Sequence, residues 1–86
     1  MRKSIGSPQY DAFLAALREA RLSAGLSQEE LAKLLDATQS FVSKSERGER
    51  RIDILELHQW CRALGISFTR FCEAYDRSIR GRGGRG

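Results

Sequence analysis

Apolar residues recur along this chain at spacings of three and four, and strict alternation is absent, a pattern that predicts helices and no sheet. In the first stretch Tyr10, Phe13, Leu14, Leu17 and Ala20 fall on one face of a helix expected from about Ser7 to Ala24. Pro8 suits its first turn, and Gly25 supplies the left-handed residue that ends it. A second helix starts at Ser27-Gln28-Glu29-Glu30, where Ser27 can accept from the Glu30 amide while the Glu30 carboxylate reaches back. Leu31, Leu34 and Leu35 form its expected buried stripe. After a tight turn at Asp36 and Ala37, Thr38 is an N-cap for a third helix that ends at Gly48. Asp53 and Glu56 make another capping pair ahead of a fourth, which turns Ile54, Leu57, Cys61 and Leu64 inward before Gly65. The fifth is capped by Ser67 and presents Phe68, Phe71, Cys72 and Tyr75, after which the composition collapses into Arg and Gly. The expected fold class is therefore all-α, a five-helix domain over residues 8–78 between an N-terminal arm (1–7) and a flexible Arg/Gly tail (79–86).

A chain of 86 residues has room for one modest core and no separate catalytic domain. Its net charge of +4 points to an anionic partner, but the charge is unevenly spread. Three arginines lie in residues 80–86, so the rest holds twelve basic against eleven acidic residues. Attraction by the folded part must then come from charge segregated onto one face. Segment 38–52, with four basic and two acidic residues, shows such segregation, although a solvated charged loop would look the same.

Other chemistries find little support. One histidine, no nucleophile–base pair and no Gly-rich phosphate loop argue against an enzyme. His58 and Cys61 lack the second ligand pair that a zinc site needs, and no cofactor motif is present. Cys61 and Cys72 form no CxxC pair and read as free thiols of a reducing compartment. No apolar run is long enough for a membrane span, so a cytoplasmic location and no membrane partner are expected.

Two short helices joined across Asp36 and Ala37 have the spacing of a helix-turn-helix. The segment from Gly25 to Ser67 goes further. Its L-S-Q-E-E-L-A opening, Q-S-x-V-S-K stretch, E-R-G terminator and A-L-G-I-S entry to the last helix, taken with Arg21, resemble the lambda-repressor-like (Cro/Xre-type) helix-turn-helix family. That resemblance implies a bacterial or phage regulator of transcription, associated with the nucleoid, whose third helix reads double-stranded DNA in the major groove. It implies base-edge roles for Gln39, Ser40 and Lys44, with Ser43 beside them one turn on. Gln28, grouped with its neighbour Ser27, is expected to bind phosphate and to buttress the first side chain of the reading helix. Arg47, Arg50 and Arg51 follow where the chain leaves the groove and are expected on phosphates. Arg21 and Glu46 match a family pair that ties the first helix to the third by an ion bridge.

Ser45 departs from the family pattern, which has a large apolar residue there; either a neighbour such as Phe41 or Trp60 fills the space, or the domain is less stable. Phe41 itself either packs against the second helix or touches a thymine methyl. Phe68, Phe71 and Tyr75 either form a homodimer interface, which would imply a palindromic operator and a dimeric repressor, or close the monomer core. The RGRGGRG end resembles segments that bind nucleic acid loosely, or is a disordered terminus, and Arg2 and Lys3 are candidates for a minor-groove arm. Two rivals stand beside the repressor: an antitoxin-type or controller protein that also binds a protein partner, and a binder of single strands or RNA led by the tail.

Overall fold

Each helix begins where a short polar side chain takes up an amide that the helix itself cannot satisfy. Ser7 accepts from Tyr10 N at 3.0 Å, Ser27 from Glu30 N at 3.0 Å, Thr38 from Phe41 N at 3.1 Å, Asp53 from Glu56 N at 2.8 Å and Ser67 from Arg70 N at 3.1 Å. In the computed structural model, which describes residues 7–83 and the side chains of 7–80, these caps open α1 (Pro8–Ser23), α2 (Gln28–Leu34), α3 (Gln39–Glu46), α4 (Ile54–Leu64) and α5 (Phe68–Gly83). There is no strand among the described residues. Both anticipated capping boxes close, Ser27 with Glu30 and Asp53 with Glu56.

The turn between α2 and α3 is made by Asp36 at φ 59°, a left-handed position taken by a residue whose short side chain tolerates it. Its neighbour Ala37 donates back to Ala32 O at 2.8 Å, which fixes α3 close to α2. At the far end of α3 the buried Gly48 adopts φ 81°, where a Cβ would be strained, and lets the chain turn away.

α2 packs on α3, α1 lies against both α3 and α5, and α4 bridges α2 and α5. Their shared core holds Leu17, Leu31, Ala32, Val42, Trp60, Cys61, Leu64 and Phe71. Leu17, Leu31 and Val42 are fully sealed from solvent, each burial stabilising by roughly 1.5–3 kcal/mol. Cys61, also sealed, has its thiol pushed up to about 11, first by burial and then by neighbouring Cys72, so it stays protonated at neutral pH.

Two core positions and one helix end differ from expectation. Leu34 and Ile54, anticipated as core, are 58% and 67% exposed. α2 ends at Leu34, which borders an open groove beside His58, Gln59 and Arg62, and Ile54 is the first residue of α4; at such ends helical spacing outlives the neighbours that would cover it. Toward the C-terminus α5 continues to Gly83, past the tail boundary expected at 79. Arg80 pairs with Asp76 one turn back at 2.8 Å, an i,i+4 contact that favours helix there. Arg2, Lys3 and residues 84–86 lie outside the described residues.

Candidate nucleic-acid interface

α3 has two faces. Val42 and Ser45 are buried beneath it, while Gln39, Ser40 and Lys44 are exposed and Ser43 is half-buried. Gln39 with Ser43, and Ser40 with Lys44, stand four residues apart, so all four project from one side of the helix.

That face is anchored from below by a chain of hydrogen bonds. Arg21 donates to both oxygens of Glu46, from Nε at 2.7 Å and from Nη2 at 3.1 Å, and its Nη1 donates to Leu26 O at 2.8 Å. The two side chains are 8% and 4% exposed, so the predicted bridge between α1 and α3 is present and nearly dry. Gln28 Nε2 adds a third bond to Glu46, at 3.0 Å, and the Gln28 carbonyl oxygen accepts from Gln39 Nε2 at 2.9 Å. The anticipated buttress is thus in place, and it reaches back through Glu46 to α1. Gln39 uses one amide hydrogen in it and keeps a second N–H and its carbonyl oxygen. Ser27 lies exposed beside Gln28, with its amide held by Glu30 at 2.8 Å.

The basic residues after α3 have unlike surroundings. Arg47 donates to Ser43 Oγ and pairs with Glu49 at 2.8 Å, and the bond to Glu49 raises its pKa. Arg51 is exposed, with its guanidinium 4.4 Å from the centre of the Tyr10 ring. Tyr10 is held in turn by Ile52 N, which donates to its hydroxyl at 3.1 Å.

Arg50, expected beside Arg47 and Arg51 on phosphates, is held by the protein in this structure. Its side chain folds inward, Nη2 pairing with Glu56 Oε2 at 2.8 Å, Nη1 with Glu56 Oε1 at 3.2 Å and with Ser45 Oγ at 3.2 Å. The bond to Glu56 raises the Arg50 pKa and holds the Glu56 carboxyl below its ordinary range. The same guanidinium lies 4.5 Å over Phe41, whose ring packs against Trp60 of α4 at 5.9 Å. Phe41 thus packs against the core that α2 and α4 share, with Trp60 of α4 against its ring. Ser45 is fully buried, and its hydroxyl donates to Phe41 O at 2.7 Å. Sequence reasoning read Glu56 only as a cap; its second partner, six residues back across a loop, leaves no periodic signal.

The aromatic residues of α5 also resolve. Phe71 belongs to the core, Phe68 stacks edge-on against His58 at 5.4 Å, and Tyr75 meets Phe13 at 6.1 Å while its hydroxyl donates to Gln9 O at 3.0 Å. Within one chain Phe71 is buried, while Phe68 and Tyr75 remain half-buried.

A helix-turn-helix family model matches residues 17–71, which include α2, α3, the buttress and the Arg50 cluster. The chain belongs to the Xre-type helix-turn-helix family. Its fold is shared with an XRE-family like protein from Pseudomonas syringae pv. tomato, 40% identical, with a TM-score of 0.80 over 87% of this chain and 92% of that one. It is also similar to the restriction-modification controller protein C.Esp1396I, 26% identical, TM-score 0.78, over 85% of this chain and 95% of the controller. The clp gene regulator ClgR from Corynebacterium glutamicum is 29% identical, with a TM-score of 0.73 over 85% and 95% of the two chains. No curated protein sequence matches. As an Xre-type domain the chain has α2 and α3 as its helix-turn-helix, and no helix among its described residues is long and apolar enough to cross a membrane.

Proposed function

We propose that this Xre-type protein binds duplex DNA sequence-specifically, with α3 in the major groove, and regulates transcription by occupying its operator, as a repressor where that site blocks polymerase. The observation that carries the reading is Gln39, held by Gln28 at the exposed start of α3. Its spare N–H and carbonyl match the N7 acceptor and N6 donor of adenine, and because its orientation is fixed before contact, less entropy is lost on binding. Lys44 is placed to donate to guanine, and Ser40 and Ser43 offer hydroxyls to either. Ser27, Gln28, Arg47 and Arg51 border this face and would meet phosphates, which set register and affinity without carrying sequence. Arg47 does so by exchanging Glu49 for a phosphate. The controller and the clp gene regulator among the similar structures are regulators by name, which supports the same role here.

Four readers on an eight-residue helix cover only a few base pairs, and at about 1–3 kcal/mol per mismatched pair such a short site discriminates poorly within a genome. Two copies on a palindrome would double the contacts, placing their reading helices about 34 Å apart. Selection of bound fragments from a random duplex library tests both parts. An enriched inverted repeat is expected; a single half-site would remove the dimer, and failure of any duplex to outcompete random sequence at physiological salt would remove the DNA reading.

A further inference from the structure

A cation at the exit of a groove-reading helix would ordinarily be assigned to the phosphate wall, yet the guanidinium of Arg50 is engaged by the protein. It binds Ser45 and covers Phe41, both on α3, and pairs through both terminal nitrogens with Glu56 on α4. We propose that Arg50 is a positioning residue for base reading. With Glu56 it clamps α3, at Phe41 and Ser45, to α4 and fixes the tilt at which Gln39, Ser40 and Lys44 meet the bases. The inference rests on the DNA reading above and assigns Arg50 to specificity, where position in the sequence alone would assign it to charge.

Ser45 and Phe41 show why such a clamp is needed. A serine leaves a buried position short of volume and brings a hydroxyl that must be satisfied. Here the hydroxyl donates to Phe41 O at 2.7 Å and accepts from Arg50 at 3.2 Å, while Phe41 lies between the guanidinium and Trp60. Only a planar, multiply donating cation can pair with a carboxylate, reach a hydroxyl and stack on a ring together; a lysine ammonium cannot. A phosphate drawing Arg50 outward would have to displace Glu56, uncover Phe41 and leave Ser45 with one partner.

Two variants separate the roles, because they predict opposite signs. Glu56→Gln removes a negative charge and weakens the hold on Arg50. If Arg50 served phosphates, all duplexes would bind more tightly, with a salt slope steeper by about 0.9. If it is a clamp, affinity for the duplex selected by the wild-type chain falls about tenfold while random duplex of the same length is held as before, so the specificity ratio drops. Arg50→Lys keeps the charge and should lose the same ratio, whereas a phosphate contact would tolerate it. Both variants are measured by fluorescence anisotropy at a temperature where their helical circular dichroism equals that of wild type. Ser45→Ala, which removes only the hydroxyl, provides a milder third case with a loss of a few-fold. Specificity retained in both Arg50→Lys and Glu56→Gln overturns the clamp, and a wild-type chain that prefers no duplex overturns the DNA reading beneath it.

Discussion

An inner, dry link ties α3 to α1 through Glu46 and Arg21, whose side chains are 4% and 8% exposed; an outer link ties it to α4 through Arg50 and Glu56, 33% and 26% exposed. Both links join an arginine to a glutamate through two N–H···O bonds, and both add a third partner, Gln28 on the inside and Ser45 on the outside. What differs is access to water. In the dry link either charge left alone is heavily penalised, so the pair behaves as a unit that cannot be half removed. The wetter link is screened, and its contribution varies with salt and pH. A reading helix can thus be fixed permanently to one neighbour, α1, and held adjustably to another, α4, by the same chemistry.

The largest expected effect breaks the inner link. Glu46→Ala leaves Arg21 buried with only Leu26 O and should lower stability by about 3–5 kcal/mol in urea unfolding followed by circular dichroism. A cost under about 1 kcal/mol would show that burial makes no difference between the links. Next, Glu56→Ala at the outer link should cost about 1 kcal/mol beyond the loss of its capping bond, after discounting for solvent screening. That cost should shrink in high salt, while the Glu46→Ala cost stays nearly constant.

Acid sharpens the contrast. The Arg50 hydrogen bond holds the folded Glu56 carboxyl below its ordinary value. The unfolded chain therefore takes up the proton first, and the stability from this group is complete above the ordinary carboxylate range and lost as pH falls through the folded value. Unfolding midpoints of wild type and Glu56→Gln should converge in that window, and a constant gap down to low pH would contradict the link. The smallest effect on stability is expected at Arg51, next to Arg50 but lying over Tyr10. Arg51→Ala should leave the melting temperature within a few degrees of wild type yet lower the salt slope of DNA binding by about 0.9, separating a residue that holds DNA from one that holds the helix.

Much of this was legible before any coordinates, and the legible part is local. All five caps join residues three apart, so Ser7, Ser27, Thr38, Asp53 and Ser67 could be read as helix starts from a few letters each. The Arg21–Glu46 pair and the Gln28–Gln39 buttress bridge wider separations and were expected only through resemblance to the family; no spacing rule links positions 21 and 46. Phe68, Phe71 and Tyr75 show where pattern reading stops. Hydrophobicity demands that they be covered, but cover by α1 and α4 or by a second chain satisfies it equally. Leu34 and Ile54 show the converse, since helical period places a residue on a face without stating that anything lies opposite.

The amino-acid order by itself determined the five helices, their caps and the polar face Gln39, Ser40, Ser43 and Lys44, because short-range hydrogen bonds and a period of 3.6 act within a few residues. Only the tertiary structure decided that Arg50 turns inward while Arg51 lies over Tyr10, that Ser45 is completed by a guanidinium, and that Phe68 meets His58 and Tyr75 meets Phe13. An arginine carries the same charge whichever way it points, and its direction is set by a carboxylate and a ring that folding brings beside it.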